Sequence, residues 1–215
     1  SMIDKPTNGS LLIDNNKIDF SETVYNDKIR SKKIGIIYQQ NNLLPDFTAL
    51  ENIYLAHLAL TNDKKLSIEK AKKVIKKMGL SSREDHYPSE LSGGEMQRVA
   101  LGRALVRDPN IYLMDEPLSS LDAKLRETLR VELKNIQRNL GATILYVTHD
   151  QAEATTMADR IGVLEEGRLV QVGTPEEIYN NPKSTYVAHR LGSPRINIIN
   201  EDILSLENKP DNTKQ

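Results

Sequence analysis

The sequence predicts an α/β fold built on a mostly parallel sheet that is flanked by helices. Three short runs have the length of buried strands, and nearly every position in them is apolar: 34–38, 111–114 and 143–147. Parallel strands are expected to be apolar throughout, because other elements cover both of their faces. Longer segments with apolar residues at helical spacing separate these runs. Strands that alternate with helices in this way are typical of a parallel sheet.

Length and composition limit the class of protein. The 215 residues are enough for one well-packed core or for one domain with an attached lobe. The 29 basic and 30 acidic residues give a formal net charge of −1, so no overall positive field would attract a nucleic acid. The chain has no cysteine, which excludes a disulfide framework and a thiolate metal site. No apolar run approaches the ~20 residues that a membrane-spanning helix needs.

Residues 3–33 predict a short hairpin followed by a polar connection. Turn-forming Asn-Gly and Asn-Asn pairs lie on either side of the apolar residues 11–13. The strand predicted at 34–38 comes next, and Gln39 follows it directly. A glutamine after a strand is, by itself, most often part of a solvated loop.

Residues 43–83 predict a helical lobe. Gly79 is placed to end a helix whose apolar residues share one face. These apolar residues are Ile68, Ala71, Val74, Ile75 and Met78. Five lysines between positions 70 and 77 lie largely away from that face, and we interpret them as a solvated surface.

The stretch 91–95, Leu-Ser-Gly-Gly-Glu, predicts the start of an amphipathic helix. Ser92 and Glu95 have the spacing of a capping box, in which Ser92 is the N-cap and Glu95 bonds back to it. The unpaired N–H groups at a helix N-terminus can hold an anion, and the two glycines allow the close approach that a phosphate needs. Ordinary surface helices also carry capping boxes, so the function depends on the motifs that follow.

Two carboxylates follow the strand predicted at 111–114. Asp115 and Glu116 would lie at the carboxyl end of a parallel strand, where open α/β sheets bind ligands, and Pro117 ends the pairing. Two adjacent buried carboxylates are costly unless they hold a metal or a reacting group. One of them can hold Mg²⁺ through water while the other polarises an attacking water.

The next elements continue the alternation of helices and strands. Apolar residues at helical spacing predict a helix over 125–140, which Gly141 would end. The strand predicted at 143–147 is followed by His149, and Asp150 is a candidate N-cap for the next helix. His149 would therefore lie at the same edge of the sheet as the two carboxylates.

Two local signals lie further along the chain. Glu-Glu-Gly at 165–167, between two runs rich in β-forming residues, predicts a hairpin. Thr174, followed by a proline and then by Glu177, predicts a short capped helix.

Three of these motifs occur in the order and at the spacing of one known family. The stretch 91–95, the strand that ends in Asp115 and Glu116, and the Ser-Ser-Leu-Asp stretch at 119–122 together resemble the ATP-binding subunit of an ABC transporter. The resemblance implies a P-loop NTPase-like (RecA-like) fold with an inserted helical lobe. Residues 116–197 resemble the subunits of carbohydrate importers of the maltose and oligosaccharide type. The front half looks more similar to ATPases of lipoprotein-releasing and macrolide-export systems.

The resemblance implies a role for each candidate site residue. Glu116 would be the general base, and His149 would contact the γ-phosphate and position the attacking water. Asp115 would hold Mg²⁺ through water, and Gln39 would contact both the ion and the water. The remaining nucleotide-binding residues implied by the resemblance are Ser92, Gly93, Gly94, Glu95 and Asp122. The expected cofactors are therefore ATP and Mg²⁺.

The resemblance also implies a division into domains. Residues 3–40 and 104–190 would form a partial ATPase core, 41–103 the helical lobe, and 191–215 the start of a regulatory extension or a tail. The phosphate-binding motif G-x-x-x-x-G-K-[ST] does not occur in the sequence. We therefore expect that the chain begins just after this motif, that the first strands and the P-loop helix are missing, and that the chain alone is inactive.

One main hypothesis follows from the resemblance. The chain would be an ATP-hydrolysing subunit that works as a homodimer or heterodimer, in which the stretch 91–95 of one chain closes over ATP held by the other. It would lie in the cytoplasm, on the inner face of the membrane, bound to permease subunits and coupled indirectly to an extracytoplasmic solute-binding protein. Import of a carbohydrate is the favoured transport reaction.

Three alternatives remain open at this point. The chain could be a nucleotide-incompetent half that lends the stretch 91–95 to a complete partner. It could also be an ATPase of the lipoprotein-release or macrolide-export type. A DNA-repair ATPase of the same superfamily is more distant, because no long heptad segment interrupts the sequence.

Overall fold

The computed structural model describes residues 5–119, 121–140 and 143–192. Within these residues the chain forms two compact units, one that ends at His149 and one that begins at Asp150. The first unit contains a three-stranded parallel sheet and a helical lobe, and the second contains a hairpin and three short helices. None of the described helices is long and apolar enough to cross a membrane.

The hairpin predicted near the start of the sequence is confirmed. Strand β1 (Leu12–Ile13) pairs antiparallel with β2 (Asn16–Lys17). Asp14 and Asn15 connect them, with φ angles of 50° and 63°. Two consecutive residues with positive φ are the mark of a type I′ turn, and Asp and Asn tolerate this conformation better than most residues.

The polar connection predicted after the hairpin is wrong, because Thr23–Lys33 form helix α1. This helix has no apolar stripe: Asn26 is its buried residue, whereas Val24 is 70 % exposed. The Asn26 side-chain amide donates a hydrogen bond to the carbonyl of Asp19 at 2.7 Å. This polar contact and the packing of Ile29 against a small apolar cluster hold the helix, so the sequence shows no amphipathic periodicity by which to recognise it.

The predicted parallel sheet is confirmed. Its strands are β3 (Ile34–Ile37), β4 (Ile111–Asp115) and β5 (Thr143–Val147), and they lie in the order β3-β4-β5. Both strand pairs are parallel, and Asp115 at the end of β4 lies opposite Val147 at the end of β5. The carboxyl ends of the three strands therefore meet at one edge, which is where open α/β sheets bind ligands.

The helical lobe contains three helices. They are α2 (Ala49–Thr61), α3 (Lys64–Lys77) and α4 (Gly93–Leu105), with short 3₁₀ turns at 81–83 and 88–90. The apolar face predicted on α3 is confirmed, since its central residues are buried, and Gly79 follows the helix with a φ of +65°. Residues 43–47 were expected to be helical and are not.

The helical lobe starts later than predicted because a capping box fixes its first residue. Thr48 is the N-cap of α2: its hydroxyl accepts a hydrogen bond from the Glu51 N–H, and the Glu51 carboxylate accepts one from the Thr48 N–H. Pro45 precedes the cap and disfavours helical backbone at the residue before it. The loop at 43–47 is held instead by the Asn52 side chain, which bonds both the N–H and the carbonyl of Leu44.

Gly102 lets α4 pack closely on α2 and α3. A Cβ atom at this position would lie 2.8 Å from Ile53 Cδ1 and 3.2 Å from Val74 Cγ1. Contacts this short leave no room for a larger side chain without movement of the neighbours. The close packing fixes the direction of α4, whose N-terminus carries the stretch 91–95.

Helix α5 (Ala123–Leu140) confirms the predicted helix between β4 and β5. Its Leu129 and Leu133 are buried in the first unit. The stop predicted at Gly141 lies outside the described residues.

The second unit contains the predicted hairpin and capped helix. It consists of α6 (Gln151–Met157), β6 (Ile161–Glu165), β7 (Arg168–Gly173), α7 (Pro175–Asn180) and α8 (Thr185–Leu191). The hairpin turn at 166–167 has φ angles of 48° and 78°, and Thr174 forms a complete capping box with Glu177. Most of the extension predicted over 191–215 lies outside the described residues.

Candidate active site

Three side chains from three neighbouring strands meet at the carboxyl edge of the sheet. Gln39 follows β3, Glu116 follows β4 and His149 follows β5. One carboxylate oxygen of Glu116, Oε1, lies 3.0 Å from His149 Nδ1. The other, Oε2, accepts a hydrogen bond from Gln39 Nε2 at 3.2 Å. The structure thus joins three of the predicted site residues through the Glu116 carboxylate.

The backbone of Glu116 is held in an uncommon conformation. Its φ is +43°, a value that costs a non-glycine residue about 1–3 kcal/mol. The Glu116 N–H donates to the Val147 carbonyl at 2.9 Å, which extends the contact between β4 and β5 by one residue. The Glu116 carbonyl accepts bonds from the Ser119 N–H at 3.2 Å and from the Ser119 hydroxyl at 2.9 Å. These bonds fix the orientation of the Glu116 side chain relative to the sheet.

The chemistry of the oxygen donors here fits a magnesium ion that is bound mainly by phosphates. Asp115 is exposed at the end of β4, next to Glu116. The described residues contain no group of three or more His, Cys, Asp or Glu side chains that could hold a metal alone. Mg²⁺ usually keeps several waters and takes one or two carboxylates together with substrate phosphates. The Asp115 carboxylate and the side-chain amide oxygen of Gln39 are suitable ligands for such an ion.

The capping box predicted at the start of α4 is present. The Ser92 hydroxyl accepts a hydrogen bond from the Glu95 N–H at 3.3 Å, and the Glu95 carboxylate accepts one from the Ser92 N–H at 2.8 Å. The bond from the Ser92 backbone is the main reason why the pKa of Glu95 lies below its ordinary value, and Arg83 adds to the effect with an Nε–Oε1 distance of 3.2 Å. Glu95 therefore caps the helix as a carboxylate.

Gly93 leaves the N-terminus of α4 open on one side, whereas Gly94 is buried. A Cβ atom on Gly93 would have no heavy atom within 4 Å. The capping box uses the N–H groups of Ser92 and Glu95, so those of Gly93 and Gly94 are the first helical donors without a capping partner. Such N–H groups, with the positive end of the helix dipole, favour an anion.

Asp122 lies in the loop between β4 and α5. Its carbonyl accepts a hydrogen bond from the Arg126 N–H at 2.9 Å, which begins α5. The Arg126 guanidinium bonds back to the carbonyls of Leu121 at 3.0 Å and Ser119 at 3.5 Å. Arg126 was not predicted as a site residue, although it holds the loop that contains two of the predicted motifs.

Two further residues were missed that hold the site together. Arg103 on α4 donates to the carbonyls of Asn42 at 2.6 Å and Asn41 at 3.0 Å, and so fixes the loop after Gln39. Gln97, also on α4, donates to the carbonyl of Pro117, the residue after Glu116. One signal for Gln97 is present in the sequence: it is a polar residue at the spacing of the buried side of α4.

The fold and these motifs define an ABC-type ATP-binding cassette. A family model described as ABC transporter matches residues 1–119, and the chain belongs to this family. The predicted resemblance is therefore confirmed.

Curated relatives and solved structures agree with this assignment. The chain is 43 % identical over 193 residues to the sn-glycerol-3-phosphate import ATP-binding protein UgpC of Vibrio vulnificus, covering 90 % of this chain and 50 % of that protein. It is 43 % identical over 198 residues to the trehalose/maltose import ATP-binding protein MalK of Thermococcus litoralis, covering 92 % and 53 %. The chain thus spans about half the length of the curated relatives it matches.

A solved structure confirms the predicted class of fold. The dimeric structure of the ATP-binding cassette MJ0796 in a post-hydrolysis state, bound to ADP and Pi, superimposes with a TM-score of 0.73 at 36 % identity. The match covers 80 % of this chain and 76 % of that one.

Proposed function

We propose that the chain is the ATP-binding and ATP-hydrolysing part of an ABC transporter. The observation that carries this proposal is the contact of Gln39 and His149 with the Glu116 carboxylate, at the strand ends of a member of the ABC family. Phosphoryl transfer to water needs little covalent chemistry from the protein, so a few well-placed polar groups are sufficient.

Glu116 would act as the general base. Its carboxylate can take a proton from a water that attacks the γ-phosphate, since it accepts hydrogen bonds and lies at the open edge of the sheet. His149 and Gln39 each contact a different carboxylate oxygen, so they orient the carboxylate and can also contact the same water. Mg²⁺, held by Asp115 through water and by Gln39, would neutralise charge on the phosphates when it is bound.

The stretch 91–95 would act on a nucleotide held by a second chain. Ser92 and the N–H groups of Gly93 and Gly94 form an anion site at a helix N-terminus. The phosphate-binding motif G-x-x-x-x-G-K-[ST], which would contact that phosphate from the other side, is not among the 215 residues. The dimeric state of the MJ0796 cassette supports a homodimer or heterodimer in which each nucleotide lies between two chains.

The most plausible transport reaction is import of a carbohydrate or a related small solute. The relatives UgpC, MalK and the xylose/arabinose import ATP-binding protein XacJ of Haloferax volcanii are all named as import proteins. In this role the chain would bind permease subunits at the cytoplasmic face of the membrane. An extracytoplasmic solute-binding protein would deliver the solute to the permease.

A second candidate function is favoured by one observation, that the 215 residues contain no phosphate-binding motif. The chain would then be a subunit that binds no ATP through its own phosphate site. Its stretch 91–95 would complete the nucleotide site of a partner subunit that carries the phosphate-binding motif. In that case Glu116 variants would not change hydrolysis, whereas variants of the stretch 91–95 would.

Gly94→Asp tests the proposed role of the stretch 91–95. We expect purified ATPase subunits that carry this variant, without the permease, to lose ATP-driven association into a dimer, because the variant places a carboxylate beside the phosphates. Light scattering with Mg-ATP measures the association. Asn62→Asp is a matched control, because it adds one negative charge at an exposed position whose φ of +55° Asp tolerates. Unchanged ATP-driven dimerisation of Gly94→Asp would contradict the role.

A further inference from the structure

Gln97 connects the stretch 91–95 to the residue that follows Glu116. It lies on α4, two residues after Glu95, and it is fully buried, with 0 % of its surface exposed. Its side-chain Nε2 donates a hydrogen bond to the carbonyl of Pro117. The helix whose N-terminus begins at Ser92 is thus bonded to the backbone next to the proposed base.

The loop after Glu116 can transmit a displacement at Pro117 to Glu116. The next residue, Leu118, is fully buried, and Ser119 bonds back to the Glu116 carbonyl through both its N–H and its hydroxyl. Residues 116–119 are therefore closed on themselves by two hydrogen bonds. Residues 116–119 would therefore move together when a displacement of helix α4 shifts the Pro117 carbonyl.

Within the described part of the chain, hydrogen bonds satisfy only one of the two polar atoms of the buried Gln97 side chain. Its Oε1 atom is buried and has no hydrogen-bond partner among the residues that the structure describes. A buried polar atom without a partner destabilises the fold, and this cost offsets what the bond from Nε2 contributes to stability. What the amide contributes is the bond from Nε2 to the Pro117 carbonyl.

We propose that Gln97 is a positioning residue that couples the two nucleotide sites of the dimer. The inference rests on the proposed function, in which the dimer has two nucleotide sites. In each chain the stretch 91–95 contacts the nucleotide of one site, and Glu116 activates water at the other site. Gln97 joins these two parts inside one chain. Closure of the stretch 91–95 on its nucleotide then fixes Glu116 at the other site.

Gln97→Met tests the coupling, because methionine keeps the length of the side chain and loses the hydrogen bond. The rate of ATP hydrolysis by the assembled transporter is measured against ATP concentration. We expect the Hill coefficient to fall from above 1 to about 1, and kcat to fall about tenfold, the change that corresponds to one net hydrogen bond. The ATP concentration for half-maximal rate should change less than kcat, and the thermal midpoint should fall, because the buried Pro117 carbonyl loses its donor. Gln137→Met on α5 is the matched control.

The outcomes separate this inference from the proposed function. A wild-type transporter that does not hydrolyse ATP overturns the proposed function. A wild-type transporter that hydrolyses ATP with a Hill coefficient of 1, or a Gln97→Met variant that keeps the wild-type coefficient and kcat, overturns the coupling alone.

A second measurement does not depend on how the variant folds. Amide hydrogen exchange of the wild type is followed while a non-hydrolysable ATP analogue is added. We expect the amides of Glu95 and Ser119 to gain protection at the same analogue concentration, because Gln97 links their segments. Protection of Glu95 without any change at Ser119 would contradict the coupling.

Discussion

Glu116→Gln is expected to abolish ATP hydrolysis by the assembled transporter while ATP binding is kept. The amide has the size of the carboxylate and cannot take a proton from water, and loss of a general base typically lowers the rate about 10²–10⁴-fold. Phosphate release measures hydrolysis, and retention of labelled ATP after rapid gel filtration measures binding.

The control for this variant is Glu127→Gln on α5. It removes the same charge from the first unit, from a side chain that is 77 % exposed and 3.6 Å from Arg130. We expect the control to hydrolyse ATP at the parental rate. Hydrolysis near that rate by Glu116→Gln itself would contradict the role of Glu116 as the base and would favour the second candidate function, in which a partner hydrolyses the ATP.

The isolated 215-residue chain is expected neither to hydrolyse ATP nor to bind it tightly. It contains no G-x-x-x-x-G-K-[ST] motif, so the backbone N–H groups and the lysine that hold the β- and γ-phosphates are not available from this sequence. The N-terminus of α4 can offer only one side of an anion site. Calorimetry with Mg-ATP is the test, and micromolar binding with steady phosphate release would contradict the expectation.

The same chain is expected to self-associate through the outer strand of its sheet. Among the described residues β3 and β5 are the two edge strands of the sheet, and Leu145 and Val147 of β5 are 61 % and 47 % exposed. An exposed apolar edge strand is a template for pairing with another chain. Leu145→Thr with Val147→Thr should lower the apparent mass in light scattering, and an unchanged mass would show that another surface is responsible.

The sequence predicts well those features that depend on neighbours along the chain. The capping boxes at Ser92 and Thr174 and the hairpin at 165–167 need only a few adjacent residues, and the structure contains all three. The position of Asp115 and Glu116 at a strand end is equally local, because an apolar run and a following proline define it.

Contacts between distant residues could be predicted only in outline. That Glu116 and His149 lie at one sheet edge follows from parallel strands, but their 3.0 Å contact depends on the register that places Asp115 opposite Val147. Helix α1 was not predicted, because its buried residue is Asn26 and it has no apolar stripe. Gln97 was missed because its partner at Pro117 becomes a neighbour only when α4 packs against the loop after β4.

The central claim is that Glu116 and His149 act as one unit on one attacking water. A double-mutant cycle tests it most directly: kcat for ATP hydrolysis is measured for Glu116→Gln, His149→Ala and the double variant of the assembled transporter. Residues that act as a unit are strongly non-additive. We expect the double variant to lose no more rate than Glu116→Gln alone. A loss equal to the product of the two single losses would show that Glu116 and His149 act independently and would contradict a shared action on one water.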